Sequence, residues 1–468
     1  MLEDFIISQI RRELPFTPNG GQEMLLHKLG RFLIAPTENR TFLLKGYAGT
    51  GKTSMVGALV RAMNRLKQPF CLLAPTGRAA KVIAAYSGFP AYTIHRRIYR
   101  QKQLGGEVFS LSINTQPNTL FIVDEASMLA NQRGDGAAFG SGRLLDDLIL
   151  FVFSAPGCGL LLLGDDAQLP PVGQDYSPAL SRDYLSRYGL AITEHTLTEV
   201  ARQALDSGIL FNATRVRDDL NSGNVELIPT IKTDSFADIQ SVYDQETFLY
   251  KLEESYREVG LEGTLLITRS NYRTNAYNQG VRNQILWRDE QLSTGDRIMV
   301  TKNNYFWTEK YDNLPFLANG DMFEIERLGN HRELYGYHFV DASLRAVDYD
   351  WEIDVTLWIE SLFTPTPEAN YAMQKELFQR VAEDYPEIRN KRDLIQEVLK
   401  SPYYNALQVR FAYAVTCHKA QGGQWKRVFI DAELKSEEHT GEEFYRWFYT
   451  ALTRAQERVF LINFPPKV

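Results

Sequence analysis

At 468 residues, with 44% hydrophobic and 23% charged side chains, the chain has the make-up of a globular protein of two to four domains. No apolar run reaches the roughly 18 residues of a membrane-spanning helix, and three scattered cysteines, Cys71, Cys158 and Cys417, exclude a disulfide framework or a zinc cluster. The net charge of −7 argues only weakly against a polyanion partner, because between residues 39 and 106 there are twelve Lys or Arg and no Asp or Glu, whereas DAELKSEEHTGEE near the end is acidic.

The opening MLEDFIISQIRREL mixes acids into an amphipathic pattern and lacks the basic-then-apolar order of a secretory signal, so a cytoplasmic location is expected. The apolar run over 42–44 reads as a strand, and a helical pattern covers about 53–65. Between them stands Gly46-x-x-x-x-Gly51-Lys52-Thr53, a P-loop. Glycines let the backbone turn its N–H groups inward, and the helix N-terminus adds partial positive charge. ATP is therefore expected against Gly46, Ala48, Gly49, Thr50, Gly51, Lys52, Thr53 and Ser54, with Lys52 reaching the β and γ phosphates and Thr53 holding Mg²⁺.

A second buried strand is expected over 120–123, in TLFIVDEASML, with Asp124 and Glu125 at its C-terminal end, where α/β sheets bind ligands. Asp124 would hold the metal and Glu125 would orient or deprotonate the attacking water. A third strand in GLLLLGDDAQLPPVG ends at Gly164-Asp165, and Gln168 three residues on can sense a γ-phosphate through its amide; read alone, the stretch is better taken as a rigid loop with its exit fixed by Pro170 and Pro171.

The order of these motifs resembles the superfamily 1 DNA helicases, in particular the 5′-to-3′ RecD/Dda-like branch, and the resemblance runs along nearly the whole chain. FTPNGGQEML looks like a Q motif, which implies that Gln22 contacts adenine. APTGRAAK and TIHRRIY are similar to strand-contacting motifs and fall in the acid-free stretch, making Thr76, Arg78, Lys81, Thr93 and His95 candidate phosphate contacts. LTEVARQ resembles an arginine motif and FYTALTRAQERV motif VI, implying that Arg202 and Arg454 are two arginine fingers. LLITRSNYRTNAYN and YAVTCHKAQGGQW resemble later motifs, and add Asn271, Thr416, His418 and Lys419 to the nucleic-acid candidates. Gly423-Gln424 stand where relatives often carry Ser-Glu.

The expected fold is α/β, with two RecA-like P-loop domains built on parallel sheets. The first would span 1–185, with a hairpin pin inserted at about 101–117; Phe109 there either stacks at a strand junction or packs on its own domain. The second would be split over 186–290 and 405–468. Between them, 291–404 carries short alternating strands and resembles an SH3-like barrel, with a helical addition at about 364–402 capped by Thr366 and interrupted by Pro386. The implied function is an ATP- and Mg²⁺-dependent DNA helicase, a monomer acting on single-stranded DNA and single/double-strand junctions alongside replication or recombination proteins. A DNA-stimulated ATPase switch, or a motor subunit of a larger complex, would carry the same motifs.

Overall fold

The structure, a computed structural model, describes residues 2–101, 109–133, 139–200, 206–311, 316–364, 366–433 and 441–464. These fall into two compact units, one drawn from 2–248 and 420–464, the other from 249–419.

In the first unit, helices α1 (Leu2–Arg12) and α2 (Gly20–Ile34) precede a sheet. The sheet is made of β1 (Arg40–Gly46), β2 (Phe70–Ala74), β3 (Ala91–Thr93), β6 (Leu120–Val123), β7 (Gly159–Gly164) and β8 (Ala191–Leu197). Its order is β3-β2-β6-β7-β1-β8, and every neighbouring pair is parallel. All six residues of the GLLLLG strand and all four of LFIV are buried, as expected where helices cover both faces of a parallel sheet. The helices are α3 (Lys52–Arg65), α4 (Gly77–Ser87), α5 (Ile94–Ile98), α6 (Leu144–Phe153) and α7 (Arg182–Ser186). Leu25, Leu29, Val56 and Leu59 join the α1–α2 pair and α3 to Phe42 and Leu44 of β1 in one core.

Two short strands, β4 (Tyr99–Gln101) and β5 (Phe109–Leu111), form an antiparallel pair of their own, with Gln101 opposite Phe109. The turn of the expected pin, 102–108, lies outside the described residues. After α8 (Gly208–Ser222) and β9 (Ile239–Val242), α9 (Gln245–Val259) carries the chain into the second unit.

There β10 (Thr264–Thr268) pairs in parallel with β16 (Ala414–Thr416), and α10 (Asn271–Gly280) follows β10. A five-stranded antiparallel sheet is ordered β14-β13-β12-β11-β15, from β11 (Arg297–Val300), β12 (Met322–Leu334), β13 (Tyr337–Ala346), β14 (Glu352–Trp358) and β15 (Val409–Phe411). Helices α11 (Pro367–Ala382), capped by Thr366, and α12 (Lys391–Val398) bury Leu377, Val381 and Val398 against Tyr337, Phe339 and Trp358 of that sheet. The chain returns to the first unit through α13 (Cys417–Ala420). There β17 (Trp425–Asp431), β18 (Ala455–Ile462) and β9 form parallel neighbours, and α14 (Glu442–Leu452) packs beside α8. The molecule is thus an α/β protein with parallel sheets, as the motif order predicts. Among the described residues, no helix is long and apolar enough to cross a membrane.

Candidate nucleotide and nucleic-acid sites

Parallel strands bring their C-terminal ends to one edge of the sheet, and the registers Lys45 to Gly164 and Val123 to Leu162 set the P-loop, Asp124 and Asp165 side by side there. Gly49 (φ 75°) and Gly51 (φ 83°) carry the P-loop through left-handed backbone that favours glycine. At Gly46 a Cβ would lie 2.9 Å from Lys52 Cγ, so the absence of a side chain there lets Lys52 fold over the loop. Lys52 Nζ donates to the carbonyls of Gly46 and Tyr47, the latter at 2.9 Å.

A cavity of about 320 Å³ opens over this edge. Its lining includes Ala48, Gly49, Gly51, Lys52, Thr53 and Ser54 from the P-loop, Asp124 and Glu125 after β6, Gln168 after β7, and Arg454 from the far end of the sequence. Burial, with the Glu125 carboxylate next to it, pushes the Asp124 carboxyl above its ordinary range. Glu125 sits in left-handed backbone (φ 51°) and its N–H donates to Asp124 Oδ1 at 2.9 Å. Arg454, 4% exposed, donates through Nε to the Thr450 carbonyl and through Nη1 to that of Gly423, and the same Nη1 lies 3.7 Å from Glu125 Oε1. Arg202 lies outside the described residues.

A hydroxyl (Thr53) and a carboxylate pair (Asp124, Glu125) are hard oxygen donors suited to Mg²⁺, and a lysine in a glycine cradle suits the charge of a triphosphate. Gln168 Oε1, also at the lining, is buried without a hydrogen-bond partner and, as an acceptor, suits a water beside the phosphates. Gln22 is 3% exposed; its Oε1 accepts from Asn19 N–H and its Nε2 donates to the Thr50 carbonyl, so its amide braces the start of α2 against the P-loop. Thr50 itself is fully buried, its hydroxyl donating to the Tyr47 carbonyl.

The nucleic-acid candidates divide between the units. In the first, Thr76 and Thr93 cap α4 and α5 at the ends of the adjacent strands β2 and β3, their side chains accepting from Ala79 and Arg96 N–H. Lys81 is exposed on α4, while the Arg78 guanidinium lies 4.9 Å from the ring centre of Trp425. Two expectations need correction. Phe109, 1% exposed, stacks on Phe139 at 4.8 Å, so of its two readings the packing one holds and it cannot receive a base. His95 packs between Tyr99 and Phe139, and burial pushes its imidazole down to about 4, so it carries no charge for a phosphate near neutral pH.

A histidine harder to protonate when folded contributes stability that is complete above its ordinary value near 6.5 and is lost as pH falls toward 4. The thermal midpoint is therefore expected to drop between pH 7.5 and 5, and His95→Gln to flatten that slope; parallel slopes would contradict the assignment.

In the second unit, Thr268 and Thr416 end paired strands, with Asn271 opening α10 after the first, and His418 and Lys419 in α13 after the second. Asn271 Oδ1 accepts from Arg410, and Lys419 Nζ donates to Asn319 Oδ1 at 2.6 Å.

The P-loop and the loop after β7 are tied to the rest of the unit by side chains that are not among the expected site residues. Tyr47 has its hydroxyl held by Asn221 at 3.2 Å and its ring 4.4 Å from Arg217, both on α8. On α14, Thr450 accepts from Leu169 N–H and Arg446 donates to the Asp166 carbonyl. No local pattern marks them; Tyr445, Phe448, Tyr449 and Thr450 read simply as the buried stripe of an amphipathic helix.

Residues 31–230 match the family described as an AAA domain, and residues 411–462 the UvrD-like helicase C-terminal domain. The chain is similar to the ATP-dependent RecD2 DNA helicase of Deinococcus radiodurans, 24% identical over 90% of this chain but only 47% of that protein. It is also similar to the ATP-dependent DNA helicase dda of Enterobacteria phage T4, 22% identical over 90% of this chain and 93% of the relative. A solved Pif1 helicase from Candida albicans aligns over 96% of this chain and 95% of its own at 15% identity, with a TM-score of 0.47. The two domain matches, with RecD2 and Dda as relatives along nine-tenths of the sequence, support a superfamily 1 helicase of the RecD/Dda kind.

Proposed function

We propose that the protein is an ATP-driven DNA helicase that translocates 5′-to-3′ on single-stranded DNA and opens the duplex ahead. The observation that carries this reading is the position of Arg454, buried 3.7 Å from Glu125 in the cavity that Lys52 also lines. Groups separated by some four hundred residues thereby meet around one triphosphate-sized space, which suits phosphoryl transfer by positioning and electrostatics.

Thr53 and Asp124 would hold Mg²⁺, which when bound neutralises phosphate charge. Lys52 draws charge from the β and γ phosphates, and Glu125 orients the attacking water and accepts its proton. Gln168 reads the presence of the γ-phosphate, and Arg454, with Arg202, places guanidinium forks on the transferring oxygens. The nucleic-acid candidates Thr76, Arg78, Lys81, Thr93, Asn271, Thr416, His418 and Lys419 hold a single strand by its backbone. If one set tightens while the other loosens through the ATP cycle, the strand advances a step per turnover. In this scheme 1–185, and 186–290 with 405–468, are the two motor domains; 101–117 is the pin, and 291–404, with its helices at 364–402, is an SH3-like accessory domain. The protein acts as a monomer at single/double-strand junctions, with replication or recombination proteins as partners.

Duplexes bearing only a 5′ or only a 3′ single-stranded tail test the proposal. Opening from the 5′ tail with ATP is expected. Opening from the 3′ tail alone would reverse the polarity, and ATP turnover with every duplex left paired would make the protein a DNA-stimulated switch.

A further inference from the structure

We propose that Tyr449 is a positioning residue for ATP hydrolysis, fixing the P-loop, the loop of Gln168 and the helix that precedes Arg454 in one register. The inference rests on the reading of the cavity as an ATPase site. Tyr449 lies on α14 and is 1% exposed. Its hydroxyl donates to Asp165 Oδ2 at 2.6 Å and accepts from the P-loop amide of Ala48 at 2.9 Å. One phenol thus joins three chain segments that are remote in sequence.

The chemistry at each end makes the joint demanding. Asp165 follows β7, and its Oδ1 accepts from Ala167 N–H at 3.0 Å. Burial raises its carboxyl above the ordinary range, while the positive charge of Lys52 and the Tyr449 hydroxyl act the other way. Burial, with Asp165 alongside, keeps the Tyr449 phenol protonated far above neutral pH, so the hydroxyl has one hydrogen to give and gives it to the carboxylate. Its lone pair then meets the Ala48 N–H, at the lining of the cavity.

Residues on either side of Tyr449 extend the tie. Arg446 donates to the Asp166 carbonyl, and Thr450 accepts from Leu169 N–H at 2.9 Å, while Gln421 donates to the Leu169 carbonyl at 2.9 Å. Gln168 therefore stands in a loop whose neighbours on both sides are bonded to α14. The same helix supplies the Thr450 carbonyl that receives Arg454 Nε at 3.0 Å. The phenol is the member of this set that reaches the P-loop itself, so its loss frees the P-loop from the helix that orients Arg454.

Tyr449→Phe keeps the ring and removes only the hydroxyl, and it is compared with the wild type in steady-state ATP hydrolysis with single-stranded DNA present. We expect kcat to fall about tenfold with KM for ATP within about twofold, because groups needed in the transition state are displaced while ground-state binding survives. Asp165→Asn is expected to lower kcat similarly, and the double variant to be no slower than either alone, since both changes break the same tie. If Tyr449→Phe does not fold, Asp165→Asn alone decides the matter. Unchanged kcat with a lowered thermal midpoint, or a raised KM at unchanged kcat, would overturn the inference. Absence of ATP turnover in the wild type would instead overturn the ATPase reading beneath it.

Discussion

Lys52→Ala is expected to lower ATP turnover at least about a hundred- to a thousandfold, the cost of removing one fixed donor from a site of developing charge, while single-stranded DNA binding stays close to wild type. The lysine side chain folds over its own loop onto the Gly46 and Tyr47 carbonyls, so its ammonium is held where phosphate charge would lie. The cavity it lines is bordered by Thr53, Asp124, Glu125 and Gln168, and none of the nucleic-acid candidates is among its lining residues. A filter-binding isotherm and a coupled ATPase assay on the same preparation separate the two effects. Loss of DNA binding in step with turnover would mean that Lys52 holds the unit together instead of serving the phosphates.

Arg454→Ala should be as damaging, lowering kcat by about a thousandfold if its guanidinium stabilises the transferring phosphoryl group as an arginine finger does. Arg454→Lys is the more instructive change. A lysine keeps the charge but loses the planar fork that here bonds the Thr450 and Gly423 carbonyls and approaches Glu125. Most of the loss is therefore expected to persist in the lysine variant, with KM for ATP little altered. Full rescue by lysine would show that net charge suffices and that the fork geometry is incidental.

The catalytic edge of the sheet was legible because each of its pieces is local. A P-loop, an apolar strand ending in Asp124-Glu125 and another ending in Gly164-Asp165 each announce themselves within a dozen residues, and parallel pairing carries their ends to the same side. The helices at 367–398 were legible too, from the Thr366 cap and Pro386. The turn between β12 and β13 was not. LYGYHFVDA reads as one alternating strand, but Tyr335 and Gly336 both take positive φ and close a two-residue hairpin near its start. Tyrosine is an uncommon residue for that backbone, so composition pointed elsewhere.

His95 and Phe109 show a different limit. Their chemistry suited a nucleic-acid surface, and both lie beside a basic, acid-free stretch, yet their surroundings come from Phe139, 30 or more residues away in sequence. Burial is a tertiary property, and no local signal reports it. Tyr449 is the converse case: an aromatic in a buried stripe whose hydroxyl finds partners some 280 and 400 residues earlier. Gln22 lies between these, since its motif was visible but its amide is spent on Asn19 and Thr50.

ATP hydrolysis by the protein, measured with and without single-stranded DNA under otherwise identical conditions, decides whether strand and phosphate sites are coupled. Slow turnover alone and a severalfold or larger acceleration on adding the strand are expected, because the nucleic-acid contacts and the phosphate site belong to one cycle. Equal rates in both conditions would contradict that coupling and, with it, the motor.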